Sequence, residues 1–174
     1  MKNIVTILFF AFYVLFSFPA CNNSTTTQEV LFWAPEKLQA YFPEKLGEFK
    51  RMELGGERTS NQQMVQSSGL YQDPLIANRT LLITVSDTGG NQETIRNVAP
   101  WSVLQQNNKL EDNSYERTGT YNGYPSYEKF DEHYRSSNLS FVINKRFVVD
   151  VSGSSCFMYD LKGMLSDFNF KQLE

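Results

Sequence analysis

The residues of this 174-residue chain that could do chemistry are few and lie far apart. Asp87-Thr88-Gly89 follows an apolar run, and an Asp-Thr-Gly loop can serve hydrolysis by two carboxylates sharing a proton. One copy per chain would require a dimer, Ser86 stands where an apolar residue is wanted, and a turn that ends a strand accounts for the same residues. His133 is the only histidine, so multi-histidine metal sites, and Ser-His-Asp or Cys-His arrangements that need another histidine, are excluded. Glu128, Asp131 and Glu132 cluster with it, and such a group could hold a cation or move protons. Alternating charge on a solvated strand or loop explains them equally, and that is the expectation. Cys156 follows Gly153-Ser154-Ser155 and reads as a small buried hydrophobe rather than a nucleophile. No catalytic residue, metal ligand or cofactor is assigned from these residues. The five tyrosines 115, 121, 124, 127 and 134 surround one hairpin, and tyrosine suits recognition surfaces as well as strands.

The position of Cys21 is more informative. Met1-Lys2-Asn3 precedes a mostly apolar run from Ile4 to Phe18, and Pro19-Ala20 follows it. A basic start, a short apolar core and a small residue form a secretory signal. Fifteen residues at 1.5 Å each reach about 23 Å, short of the ~30 Å hydrocarbon slab. Phe18-Pro19-Ala20-Cys21 resembles the lipobox of bacterial lipoproteins, with Phe and Pro in place of the commoner residues at its first two positions. The resemblance implies cleavage before Cys21 and lipidation of Cys21 with two or three acyl chains, palmitate-like in kind, enough for permanent attachment to a membrane. Asn22 to Gln28 is wholly polar and reads as a tether. The residue after the cysteine is Asn22 rather than Asp, which points to the outer membrane over the inner.

The expected organisation is a signal peptide at 1–20, a lipidated cysteine and polar tether at 21–28, and one domain at 29–174. That domain has the size of an ordinary independent fold. Removing Lys2 with the signal takes the formal net charge from −3 to −4. An acidic domain without a basic patch is a poor nucleic-acid binder. With Cys21 acylated, Cys156 has no disulfide partner, so stability must come from the core.

The elements that would position these residues can be read in order. Pro35 to Phe42 predicts a short helix and Glu48 to Leu54 a strand, with Gly55-Gly56 as a turn. Met64–Tyr71 and Arg79–Ser86 read as paired strands, the second nearly continuous in apolar and β-branched residues. Apolar residues at 95, 98, 101, 103 and 104 predict a helix that Pro100 kinks or splits. Tyr115–Tyr121 and Tyr124–Phe130 flank Asn122-Gly123, the pair favoured by a two-residue type I′ hairpin. Leu139–Ile143 and Phe147–Val151 form a second pair, and 157–168 a closing helix.

This order predicts an α+β fold, an antiparallel sheet with helices packed on its faces. Residues 119–128 and 145–153 resemble an uncharacterised group of exported bacterial proteins that is similar in layout to the Mog1/PsbP-like α/β/α sandwich. The resemblance implies that sandwich and carries no catalytic residues. The functional expectation is an exported, membrane-tethered envelope lipoprotein acting as a non-enzymatic binding or assembly module. Its partners would be the membrane, through lipid on Cys21, and an envelope protein. An envelope hydrolase using carboxylates such as Asp87 or Glu128, and a small-ligand or lipid carrier, are the alternatives.

Overall fold

The structure is a computed structural model that describes residues 31–59, 63–103 and 108–174. The signal segment, Cys21 and the polar tether lie outside the described residues, as does the end of the expected helix at 104–107. Nine strands form one antiparallel sheet: β1 (Lys45–Leu46), β2 (Phe49–Arg58), β3 (Val65–Gln72), β4 (Thr80–Asp87), β5 (Asn108–Glu111), β6 (Ser114–Tyr121), β7 (Tyr124–Asp131), β8 (Ser136–Ile143) and β9 (Phe147–Ser154). Their order across the sheet is β1-β2-β3-β4-β9-β8-β7-β6-β5. Two meanders thus run in from opposite edges and meet where β4 pairs with β9, in register from Thr80↔Ser154 to Asp87↔Phe147.

The expected α/β/α sandwich is not what forms; the fold is β-rich. The helices α1 (Pro35–Gln39), α2 (Gln92–Val98) and α3 (Met158–Met164) have five, seven and seven residues. At 1.5 Å per residue each is about 8–11 Å long, whereas nine strands ~4.8 Å apart span about 38 Å. Helices of that length cover patches of the sheet and cannot make layers. The sequence explains why they are short. Pro43 follows α1 closely, Pro100 converts the end of the α2 segment into a 3-10 turn at Pro100–Val103, and the closing helix loosens into a 3-10 turn at Leu165–Asp167. At its start α2 is capped by Asn91, whose side chain accepts from the N–H groups of Glu93 (2.9 Å) and Thr94 (3.0 Å).

The two faces of the sheet are buried unequally. One carries the main core: Phe147, Val149 and Val151 of β9, Leu81, Ile83 and Val85 of β4, and Leu139, Phe141 and Ile143 of β8. Leu38 and Phe42 from the α1 region cover this face, with Leu161, Leu165, Phe168 and Phe170 from the C-terminal segment. The other face carries a smaller cluster, in which Ile95, Ala99 and Trp101 sit on Val142 and Val148. Elsewhere that face is polar and partly open: Leu82 is 42 % exposed, and Ser152 donates to Asn138 at 2.9 Å. An antiparallel sheet tolerates such a solvated face.

Three local expectations are corrected. Gly55-Gly56 is not a turn but lies within β2, because α1 crosses here: a Cβ on Gly56 would stand 2.7 Å from Gln39 Nε2 and from Ser67 Oγ. The strands β1 and β5 were absent from the sequence reading. For β5 the missed signal is Asp112-Asn113, whose φ values of 43° and 66° close a tight turn into β6.

Candidate recognition groove

Register places the side chains. Leu81, Gly153, Ser137, Phe130 and Tyr115 pair across β4, β9, β8, β7 and β6, so they share the main-core face. Ile83, Val151, Leu139, Glu128 and Arg117 do the same one row nearer the opposite strand ends. The C-terminal segment covers these rows as far as β8. Beyond it Tyr115 and Phe130, 5.8 Å apart, remain as the floor of an open groove. Phe157 and Tyr159, stacked at 5.8 Å, and Met158 form its wall. The groove has a volume of about 290 Å³. Tyr159 is 72 % exposed, so its ring is presented rather than packed.

Charge lines one side. The Glu128 carboxylate is buried and takes a fork from Arg117, Nη2 at 2.8 Å and Nε at 3.1 Å, while Lys162 of α3 closes on its other oxygen. Hydrogen bonding to Glu128 raises the Arg117 guanidinium further above its ordinary value. The Arg117 guanidinium also lies 4.9 Å from the Tyr115 ring centre, and Arg135 lies 6.0 Å from that of Phe157. Two cations against one buried carboxylate leave this rim with net positive charge. Burial is the first cause that raises the Tyr115 phenol, so it stays protonated and able to donate at neutral pH.

The acidic cluster expected after the hairpin is divided by the fold. Glu128 points into the core face, whereas Asp131 accepts from the Tyr134 N–H at 3.0 Å and so shapes the turn. His133 is exposed and meets Tyr134 edge-on at 4.7 Å. Among the described residues no group of three or more His, Cys, Asp or Glu side chains could hold a metal ion. Cys156 is fully buried, and burial pushes its thiol up to about 11, which removes thiolate at neutral pH.

Asp87 is also fully buried. Its Oδ1 accepts from Gly89 N–H (2.9 Å) and Arg146 Nε (2.8 Å), and its Oδ2 from Trp33 N–H (2.8 Å) and Arg146 Nη2 (2.8 Å). Arg146 Nη2 reaches on to the Leu31 carbonyl at 2.9 Å. A carboxylate satisfied four times over fastens the entering chain to the sheet, and it has no lone pair facing a substrate. The Asp-Thr-Gly loop is therefore a clamp.

Of the five hairpin tyrosines only Tyr115 lines the groove. Tyr121 and Tyr124 pack on Phe141, Tyr127 stacks with Trp101 on the other face, and Tyr134 stands in solvent. Sequence reasoning missed Arg117, Tyr159 and Lys162. The signal available was Tyr159, an aromatic off the buried stripe of Leu161, Met164 and Leu165. No family model, curated protein or solved structure matches the chain.

Proposed function

We propose that the protein is an envelope lipoprotein, lipidated at Cys21, whose domain is a non-enzymatic binding module for a protein partner. The observation that carries the reading is the groove: an exposed aromatic wall over an aromatic floor, rimmed by Arg117 and Lys162. Its occupant is a segment presenting an apolar side chain beside an acidic one, because the floor is apolar and the rim is positive. The hydrolase alternative is disfavoured by the carboxylates it would use, since Asp87 and Glu128 are each tied into ion pairs.

The test is photo-crosslinking in living cells from an unnatural residue at position 159, with position 93 on α2 as control. One partner species captured at 159, absent at 93 and lost on Arg117→Glu, is the expected result. Equal capture at both positions, or capture indifferent to Arg117→Glu, overturns the reading. Tyr159→Ala is expected to cost about 2 kcal/mol of binding, roughly 30-fold in Kd. The mass of the mature protein reads the anchor directly: an unmodified Cys21 removes the lipoprotein half of the proposal.

A further inference from the structure

We propose that α3 is a saddle between two oppositely charged hollows, and that the partner segment crosses it with an acidic residue on one side and a basic residue on the other. The proposal deepens the groove reading above and rests on it.

The shape follows from the helix. Met158, Leu161 and Met164 are its buried residues. At about 100° per residue, Tyr159 and Gly163 share the outward side of α3, with Lys162 on one flank and Asp160 on the other. The Lys162 flank is the groove already described. On the Asp160 flank lies a second hollow of about 330 Å³, with buried Phe49 at its base and Glu48, Arg79 and Asp160 around it. Tyr159 borders both hollows and is the crest between them. Beside it the crest drops. A Cβ on Gly163 would meet no atom within 4 Å, so a chain can pass close over the helix there.

The charge of the second hollow inverts that of the groove, where two cations share one carboxylate. Here Arg79 alone is held between two carboxylates, Asp73 at 3.1 Å and Asp160 at 3.3 Å, and lies 5.2 Å from the Phe49 ring centre. Its charge is fully matched, and exposed Glu48 adds a further negative one. The turn that carries Glu48 is fixed, because the Gly47 N–H donates to Asp167 Oδ2 at 3.0 Å. Lys45 and Lys50 do not offset this rim. Leu46 and Phe49 turn to the core, and alternation sends the two lysines to the opposite face of the strands.

Complementary potentials fix the register of a bound chain and the direction in which it lies. The two rims stand about one helix diameter apart, ~10 Å, which an extended chain covers in three or four residues at ~3.3 Å each. The occupant they select is an extended protein segment whose acidic and basic residues have that spacing, with an apolar side chain between them against Tyr159.

The test uses the whole protein in living cells, with the photo-crosslinker at position 159 and the captured partner peptide sequenced by mass spectrometry. An Asp or Glu three to five residues from a Lys or Arg is expected in it, and a captured sequence without that pair overturns the inference. A fluorescein-labelled synthetic copy of the captured peptide is then the probe for anisotropy titrations of the purified protein. Glu48→Lys is expected to weaken binding about five- to tenfold, and replacing the peptide's basic residue with Glu to restore it. A loss that the reversed peptide does not restore overturns the charge assignment. Gly163→Gln fills the saddle without meeting any neighbour in the domain, so it is expected to weaken binding with no fall in the melting temperature. Binding that responds to Arg117→Glu, but to neither Glu48→Lys nor Gly163→Gln, overturns this inference and leaves the groove reading standing. No capture, or indifference to Arg117→Glu, overturns both. Should Glu48→Lys fail to fold, Gly163→Gln decides alone.

Discussion

Asp150 projects from β9 onto the sparsely covered face, between Thr84 of β4 and Ser140 of β8. Burial raises its carboxyl above the ordinary carboxylate range, and a hydrogen bond with Ser140 opposes this only in part. Ser140 in turn accepts from Trp101 Nε1 at 3.0 Å, so one network ties the carboxylate to the indole. A carboxyl whose folded pKa lies above its unfolded one binds its proton more tightly when folded. Stability therefore falls as pH rises from the unfolded value through the folded one, and the penalty is fully present above it. Asp150→Asn is expected to be more stable than the parent at pH 7, with the advantage gone near pH 3. Urea unfolding midpoints at the two pH values measure this, and an advantage equal at both would show that ionisation is not its source.

Among the elements, those set by local backbone chemistry were legible in the sequence and those set by distant neighbours were not. Asn122 and Gly123 adopt φ of 50° and 86°, as the pair predicts, and the β6–β7 hairpin forms around them. The Asn144-Lys145 turn between β8 and β9 follows the same logic, with φ of 51° and 52°. The glycines of β2, which read as a turn, and Gly69 of β3 take their role from α1 and Phe42 crossing above, which are invisible in the chain around them. Gly69 is the clearer case: a Cβ there would stand 2.7 Å from Phe42 Cδ1 and 3.0 Å from Tyr71 Cε2, both rings belonging to the buried core. Gly69→Ala is expected to destabilise by about 1–3 kcal/mol by forcing the Phe42 ring aside. Thermal unfolding measures it, and an unchanged midpoint would mean that α1 rides on the sheet loosely. The groove escaped prediction for a related reason. Tyr115 and Arg117 are brought to Tyr159 and Lys162 only when α3 settles across the sheet, and nothing in either segment announces the other.

At the scale of the whole molecule, the unequal faces divide the stability. The larger core joins β4, β8 and β9 to α1 and the C-terminal segment, whereas α2 and its 3-10 turn rest on a smaller patch of Val142, Val148 and Tyr127. Elements with few buried apolar contacts open locally at lower cost than the global transition. Native-state hydrogen exchange is expected to show α2 amides exchanging through local opening, while amides of β4 and β9 exchange only with global unfolding. A common opening free energy for all of them would make the two clusters one cooperative unit. The edges are treated differently from the centre. β1 is two residues long, and β5 is four residues, all exposed, with Lys109 and Glu111 3.5 Å apart. Short, charged edges discourage pairing with other chains.

The clamp has a mechanical consequence. Any pull on the chain ahead of Leu31 enters the domain at Leu31 and Trp33, passes through the Arg146 fork to Asp87, and arrives at the ends of β4 and β9. Those two strands are the innermost pair and share eight registered positions. The clamp grips both strands at the same end, so a pull loads them together and the ladders to their outer neighbours β3 and β8 carry it in shear. A load entering there is thus spread over the most buried part of the sheet before it reaches β6 and β7, which floor the groove.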